Sequence, residues 1–110
     1  MKLPNADAAI VPLAKLTGYC LNPHHRDGQN KARVFESVLG LDQSYAEYLR
    51  QALLDAARTC EATPGKTDRF GTRYTIDFLL QGPRGEATIR STWIVRQDEE
   101  RPRLVTCYVP

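Results

Sequence analysis

Long apolar runs are missing from this 110-residue sequence. None approaches the ~18 residues of a membrane span, and the start Met1-Lys2-Leu3-Pro4-Asn5 lacks the apolar stretch of a secretory signal. A cytoplasmic protein without membrane contact is therefore expected. Cysteine is scarce as well. Cys20, Cys60 and Cys107 are an odd, widely spaced set, which argues against a disulfide framework and points to reduced thiols. There is no glycine-rich phosphate loop, no dinucleotide fingerprint, no HExxH, no repeat and no low-complexity linker. Cys20, His24 and His25 offer metal-ligand types, but no Cys-x-x-Cys spacing supports them. Neither a cofactor nor a metal is expected.

What is present is ordinary globular composition, 42% apolar and 25% charged, enough for one core and one domain over residues 1–110. The net charge of +2 hides an imbalance, eleven Arg against four Lys. Guanidinium is favoured where planar, bidentate contact with phosphate or carboxylate matters, so the bias leans toward an anionic partner.

The pattern changes once, near Ala62 to Gly71, from helical period to alternation. Residues 1–61 form the helical part and residues 62–110 the sheet. A first helix is expected over Val11 to Cys20, with Leu13, Leu16 and Cys20 on one face, followed by a loop at Leu21 to Gly28. A second runs over Lys31 to Leu39, capped by Asn30 and ended by Gly40, with Val34, Phe35 and Val38 toward the core. The third, Gln43 to Glu61, has Asp42 as N-cap and a buried stripe of Tyr45, Leu49, Ala52, Leu53, Ala56 and Cys60. Strands follow at Thr72 to Gln81, Glu86 to Gln97 and Arg103 to Val109, the first two closed by the turn Gly82-Pro83-Arg84-Gly85. The fold class is α+β, with N-terminal helices packed on one face of a C-terminal antiparallel sheet of three to four strands.

Alternation assigns the two sheet faces. Tyr74, Ile76, Phe78 and Leu80, then Ala87, Ile89, Ser91, Trp93 and Val95, then Val105, Cys107 and Val109 meet the helices. The opposite face carries Arg73, Thr75, Asp77 and Leu79, then Thr88, Arg90, Thr92, Ile94 and Arg96, then Leu104, Thr106 and Tyr108. A solvated antiparallel face normally alternates polar outward. The same mixture of guanidinium and hydroxyl groups also suits an anion-binding floor if a further basic element overlies it.

Such an element lies in Pro23 to Arg33. The first turn of a helix favours acids because its free N–H groups are positive, yet Lys31 and Arg33 stand here. The two histidines of the chain, His24 and His25, lie just before them, and imidazole is suited to proton transfer near neutral pH. The plain alternative is a basic surface loop whose histidines pack or cap locally.

The stretch Tyr19-Cys20-Leu21-Asn22-Pro23-His24, then Gly28, then Lys31-Ala32-Arg33-Val34-Phe35, resembles a family of small bacterial proteins of uncharacterised function. Gly71 to Tyr74, Arg90-Ser91-Thr92-Trp93-Ile94 and Pro102 to Tyr108 extend the resemblance over nearly the whole chain. More loosely, the chain is similar to the barnase, EndoU, colicin and RelE-like superfamily of ribonuclease toxins. That likeness implies helices before a curved antiparallel sheet, RNA cut on the open sheet face, and no metal. His25 stands where such relatives tend to have Pro.

Metal-free RNA cleavage needs a base, an acid and cations for the charge building on the phosphate. On this basis His24, Lys31, Arg73, Arg90, Thr92 and Thr106 are the candidate catalytic residues, while His25, Arg33, Arg96 and Tyr108 contact substrate. Lys31 and Arg90 are expected to share a phosphate, within about one Debye length, ~8–10 Å. The expected function is a bacterial ribonuclease-type toxin, with RNA as substrate and a cognate antitoxin as partner. The rival is a non-catalytic antitoxin, immunity or adaptor module that meets a protein through the same face. A nucleic-acid-binding domain without chemistry is a third possibility, for which a charge of +2 is low.

Overall fold

The computed structural model describes all 110 residues. A 3₁₀ turn at Ala6–Ala8 precedes helix α1, which starts as an α-turn at Leu13–Lys15 and widens to a π-turn at Leu16–Cys20. Helix α2 repeats the device, Gln29–Val34 then Phe35–Leu39, and α3 is a 3₁₀ turn at Gln43–Tyr45 followed by Ala46–Thr59. Strands β1 (Thr63–Asp68), β2 (Gly71–Gly82), β3 (Gly85–Arg96) and β4 (Arg103–Tyr108) form one antiparallel sheet in the order β1-β2-β3-β4. The fold is α+β, helices on one sheet face. No helix is long and apolar enough to cross a membrane.

Helix α3 follows its stripe. Leu49 and Leu53 are fully buried with Ala46, Ala56 and Ala57, and Tyr45, Ala52 and Cys60 are half-buried at its margins. The Asp42 carboxylate accepts the Ser44 N–H at 2.9 Å, the expected N-cap. The helix stops at Thr59 rather than Glu61. Glu61 is drawn instead to the Met1 ammonium at 2.6 Å, and the Ala62 N–H donates to the Met1 carbonyl.

Helix α2 ends at Gly40 as expected, with φ +76 in the left-handed region that glycine adopts freely. Two expectations for it fail. Asn30 lies inside the helix, not at its cap, because the helix begins earlier, at Gln29 with Gly28 as N-cap. Val34 and Val38 are exposed, while Ala32, Phe35 and Leu39 are buried, because the helix turns its i, i+3, i+7 stripe from Ala32 to the core and leaves 34 and 38 on the far side. Likewise in α1, Leu16 and Cys20 are buried but Leu13 is exposed.

Strands β2 and β3 pair without a break from Gly71↔Arg96 to Gly82↔Gly85, so the turn reduces to Pro83-Arg84. Ile76, Leu80, Ile89, Ser91, Trp93 and Cys107 are buried on the helix side. Ser91 is accommodated there because its Oγ donates to the Ile76 carbonyl at 2.9 Å and accepts the Trp93 Nε1–H at 3.0 Å. Phe78 is only half-buried, since it lies where β1 no longer covers β2.

One register assignment is corrected. Thr92 pairs with Thr106 but Trp93 pairs with Leu104, so Val105 is an extra residue, a β-bulge. Beyond it the faces exchange. Leu104, expected on the open face, is 3% exposed in the core, and Val105, expected in the core, is half-buried outside it. Strand β1 was not expected as a strand. Thr63-Pro64-Gly65-Lys66-Thr67 is exposed throughout and has a bulge between Pro64 and Thr67, so it shows no alternation to read.

Candidate functional site

Helix α1 and strand β4 border an open cleft of about 630 Å³, lined by Lys15, Gly18 and Tyr19 on one side, Val105 and Thr106 on the other, and His25. No carboxylate lines it. Lys15 and Tyr19 share a helix face by their four-residue spacing, and the Lys15 ammonium lies 6.0 Å from the Tyr19 ring centre. The bulge at Val105 lets two consecutive residues of β4, Val105 and Thr106, both border the cleft.

The loop before α2 delivers the remaining groups. Gly28 is buried against the backbone of Tyr19, where an added Cβ would stand 2.3 Å from the Tyr19 carbonyl oxygen, so only glycine allows this approach. The N–H groups of Asp27 and Gly28 each donate to His25 Nδ1 at 3.0 Å. His25 thereby braces the turn that leads into α2, whose N-cap position is Gly28. With Nδ1 accepting twice, the proton of the neutral ring sits on Nε2. The imidazole also meets the Tyr19 ring edge to face, with centres 4.9 Å apart.

Lys31, one turn into α2, donates to the Tyr19 hydroxyl at 2.9 Å, and its ammonium lies 5.1 Å from the Tyr19 ring centre and 5.8 Å from that of Tyr108. Cations over aromatic faces are held electrostatically while staying chemically available. The Tyr19 hydroxyl, followed by partial burial acting the other way, sets the balance that raises the Lys31 pKa above its ordinary value. Behind this group the buried thiols of Cys20 and Cys107 adjoin. Contact with Cys107 outweighs burial and lowers Cys20 to about 7, with the Lys31 charge helping, whereas Cys107 is pushed well above the usual thiol value.

Of the sequence-predicted residues, Lys31, His25, Thr106 and Tyr108 gather around Tyr19. Thr106 Oγ1 is buried without a hydrogen-bond partner. His24 is not among them: it is exposed, its N–H held by Asn22 Oδ1, and it does not line the cleft. Arg90 flanks Tyr108 as its cross-strand neighbour, but Asp77 holds it through two bonds of 3.0 Å. Asp77 first and the Tyr108 hydroxyl second raise its pKa further. Arg73 is bound to Asp68 at 3.0 Å, Arg96 lies 3.7 Å from Glu99, and Arg33 donates to Gln29. Thr92 faces Thr106 across the strand pair. Sequence reasoning missed Tyr19 and Lys15. Their spacing ahead of the histidines was the available signal.

The chain belongs to the family described as Domain of unknown function (DUF6883), whose model matches residues 2–110, in keeping with the resemblance to an uncharacterised family. No curated protein matches significantly. Among solved structures, the chain is similar to one from the contact-dependent growth inhibition toxin–immunity protein complex of Klebsiella pneumoniae 342. The TM-score is 0.70 at 21% identity, over 93% of this chain and all of that one. At that identity the likeness speaks to the fold.

Proposed function

We propose that this member of the DUF6883 family is a metal-independent ribonuclease-type toxin module that cleaves RNA at the Tyr19 cleft, and that a cognate antitoxin or immunity protein restrains it. The observation that carries this is the Lys31 ammonium, bonded to the Tyr19 hydroxyl and set over the Tyr19 and Tyr108 rings, next to a cleft whose lining holds Tyr19, Lys15 and His25 and no acid. Such a set suits a phosphodiester. Similarity of fold to a chain from a toxin–immunity complex supports the same class.

In RNA cleavage of this kind the 2′-oxygen attacks the neighbouring phosphorus, the bond to the 5′-oxygen breaks, and a cyclic phosphate and a 5′-hydroxyl result. The 2′-proton must be taken up and one supplied to the leaving oxygen. Lys31 offsets the negative charge growing on the phosphoryl oxygens, and the His25 Nε2–H donates to the same oxygens. The Tyr19 hydroxyl accepts from Lys31 through a lone pair, which leaves its own proton free to exchange with substrate. Arg90 acts at one remove, holding Tyr108 while Asp77 holds it.

A second reading rests on the open sheet face, where Arg73, Arg90 and Arg103 are already ion-paired. A neutralised face suits a protein partner better than RNA, as an immunity, antitoxin or adaptor module would require. Inducible expression with RNA profiling decides between them, followed by incubation of purified protein with RNA in EDTA. Growth arrest and discrete fragments that persist in EDTA are expected for the toxin. Harmless high-level expression of folded protein, with intact RNA, would overturn it in favour of the binding module.

A further inference from the structure

Seven glycines stand in the chain, and the fold accounts for most of them. An added Cβ would strike backbone at Gly28, Gly71 and Gly82, and Gly40 and Gly85 hold positive φ. Gly65 lies in the exposed, bulged β1. Gly18 is different. It sits inside the second turn of α1 without a positive φ, and an added Cβ there would meet nothing within 4 Å. Glycine inside a helix lowers stability relative to alanine, because it gives up the most backbone freedom on folding. Neither φ nor packing asks for it. What lies over the bare position is the cleft, which Gly18 lines.

A second departure from regular structure shapes the same space. The bulge at Val105 turns that residue out of the core and onto the cleft wall, and bulges beside sites commonly re-aim a side chain in this way. The cleft therefore continues past its Tyr19 and His25 end. From Tyr19 back to Pro12 it follows α1 for about 10 Å, at 1.5 Å per residue. Along this stretch the wall is Pro12, Ala14, Gly18 and Val105, apolar and low, with Lys15 as its one charged group.

Taking the cleft as the RNA site of the proposed function, we propose that this stretch holds one unpaired nucleobase, that of the nucleotide next to the phosphate bound at the Tyr19 end. A base is flat and apolar on its faces. It can lie against a helix backbone only where no side chain stands off that backbone, and Gly18 provides the place. Pro12, Ala14 and Val105 shield the ring from water, while Lys15 offsets the charge of the adjoining phosphate. A ligand whose anionic backbone alternates with apolar rings suits a cleft that joins Lys15 and His25 to an apolar wall and has no carboxylate. The base must be free of its pairing partner to enter, so the substrate is single-stranded RNA.

Amide chemical-shift mapping on the whole protein tests this. The four nucleoside 5′-monophosphates are compared with ribose 5-phosphate, which carries the same sugar and phosphate but no base. At least one mononucleotide should shift Ala14, Lys15, Gly18 and Val105, and bind at least about tenfold tighter than ribose 5-phosphate. Gly18→Ala should raise the melting temperature by roughly 2–5 °C. Gly18→Leu should be no less stable than wild type and should weaken that mononucleotide at least about tenfold, since its side chain fills the place of the base. Mononucleotides that bind no better than ribose 5-phosphate overturn the proposal. So do shifts that fall on the open sheet face instead, or a Gly18→Ala variant less stable than wild type. Cleavage of a single-stranded RNA is read separately. Cleavage without base-dependent binding removes the subsite and leaves the proposed function, whereas base-dependent binding at Gly18 without cleavage keeps the subsite and removes the ribonuclease. Should Gly18→Leu fail to fold, the wild-type comparison with ribose 5-phosphate decides.

Discussion

The cleft beside α1 and the open face of the sheet are built from similar side chains, yet those side chains are differently engaged. On the sheet, Arg73 holds Asp68, Arg90 holds Asp77 and Arg103 holds Glu99, each at about 3 Å. At the cleft, Lys15 has only the Tyr19 ring and Thr106 Oγ1 no partner, and Lys31, which adjoins the cleft through Tyr19, has only a phenol and two ring faces. An exposed pair is locally satisfied and worth ~0–1 kcal/mol. A buried polar group left without a partner costs more than it returns to the fold. The cleft is therefore where the chain departs from what stability alone would favour, and such departures mark function.

The sharpest way to break that comparison is to exchange the roles of its cations. Lys31→Met should lower RNA cleavage ~10²–10³-fold, since a preorganised charge at the transition state is worth that much. Arg73→Met should leave cleavage near wild type. Equal loss in both, measured on folded protein, would return the catalytic surface to the sheet face. Next in size is Thr106→Val. It removes a hydroxyl without a partner and keeps the shape, so thermal denaturation should show the variant as stable as wild type or up to ~1 kcal/mol more so. Its cleavage rate should stay within about tenfold of wild type, because the buried hydroxyl is not presented to the open cleft. A destabilised Val variant would mean that the hydroxyl has a structural partner. Smaller again is Asp77→Asn on the sheet, which should cost no more than ~1 kcal/mol in denaturant unfolding, because both partners are well exposed.

Acid and alkali separate the regions with the least effect. The Phe70 N–H first, then Arg73, holds Asp68 below 3.8, and Arg103 holds Glu99 below 4.5. Depressed carboxylates give stability that is complete above those values and lost as pH falls through the still lower folded ones. The raised Lys31 does the reverse: its contribution is complete below 10.5 and lost as pH rises through the higher folded value. In spectra, the sheet face should loosen first in acid and the Tyr19–Lys31 contact first in alkali. Loss of the Tyr19–Lys31 contact at the acid end would contradict the assignment.

Much of the fold was legible because single spacings carry it. Leu49 and Leu53 recur at helical intervals ahead of an Asp42 cap, and Ile76, Leu80, Ile89 and Trp93 alternate on either side of Gly82 to Gly85. The third strand was legible only to the bulge. Val105 and Leu104 changed places because an inserted residue leaves no mark in composition, only in the pairing of Thr106 and Leu104 with β3. Strand β1 was invisible because an exposed edge needs no apolar face. In the site, Lys31, Thr106 and Tyr108 stood out by type and position. Tyr19 did not, since nothing in a helix ending Gly-Tyr-Cys says that a lysine twelve residues later will reach its hydroxyl.

By itself, then, the sequence determined the class of fold, the order of its elements and which face of β2 and β3 would be apolar, because each follows from short-range periodicity and from the conformational limits of Gly, Pro and Asp. Only the tertiary structure decided which cations remain free. Whether Arg90 or Lys31 finds an acid depends on Asp77 lying across the strand pair from one and a tyrosine hydroxyl meeting the other. It likewise decided that His25 rather than His24 enters the cleft. The N–H groups of Asp27 and Gly28, in the turn before α2, are accepted by the His25 ring, and Gly28 lets that turn close onto Tyr19, a contact between segments that no local pattern records.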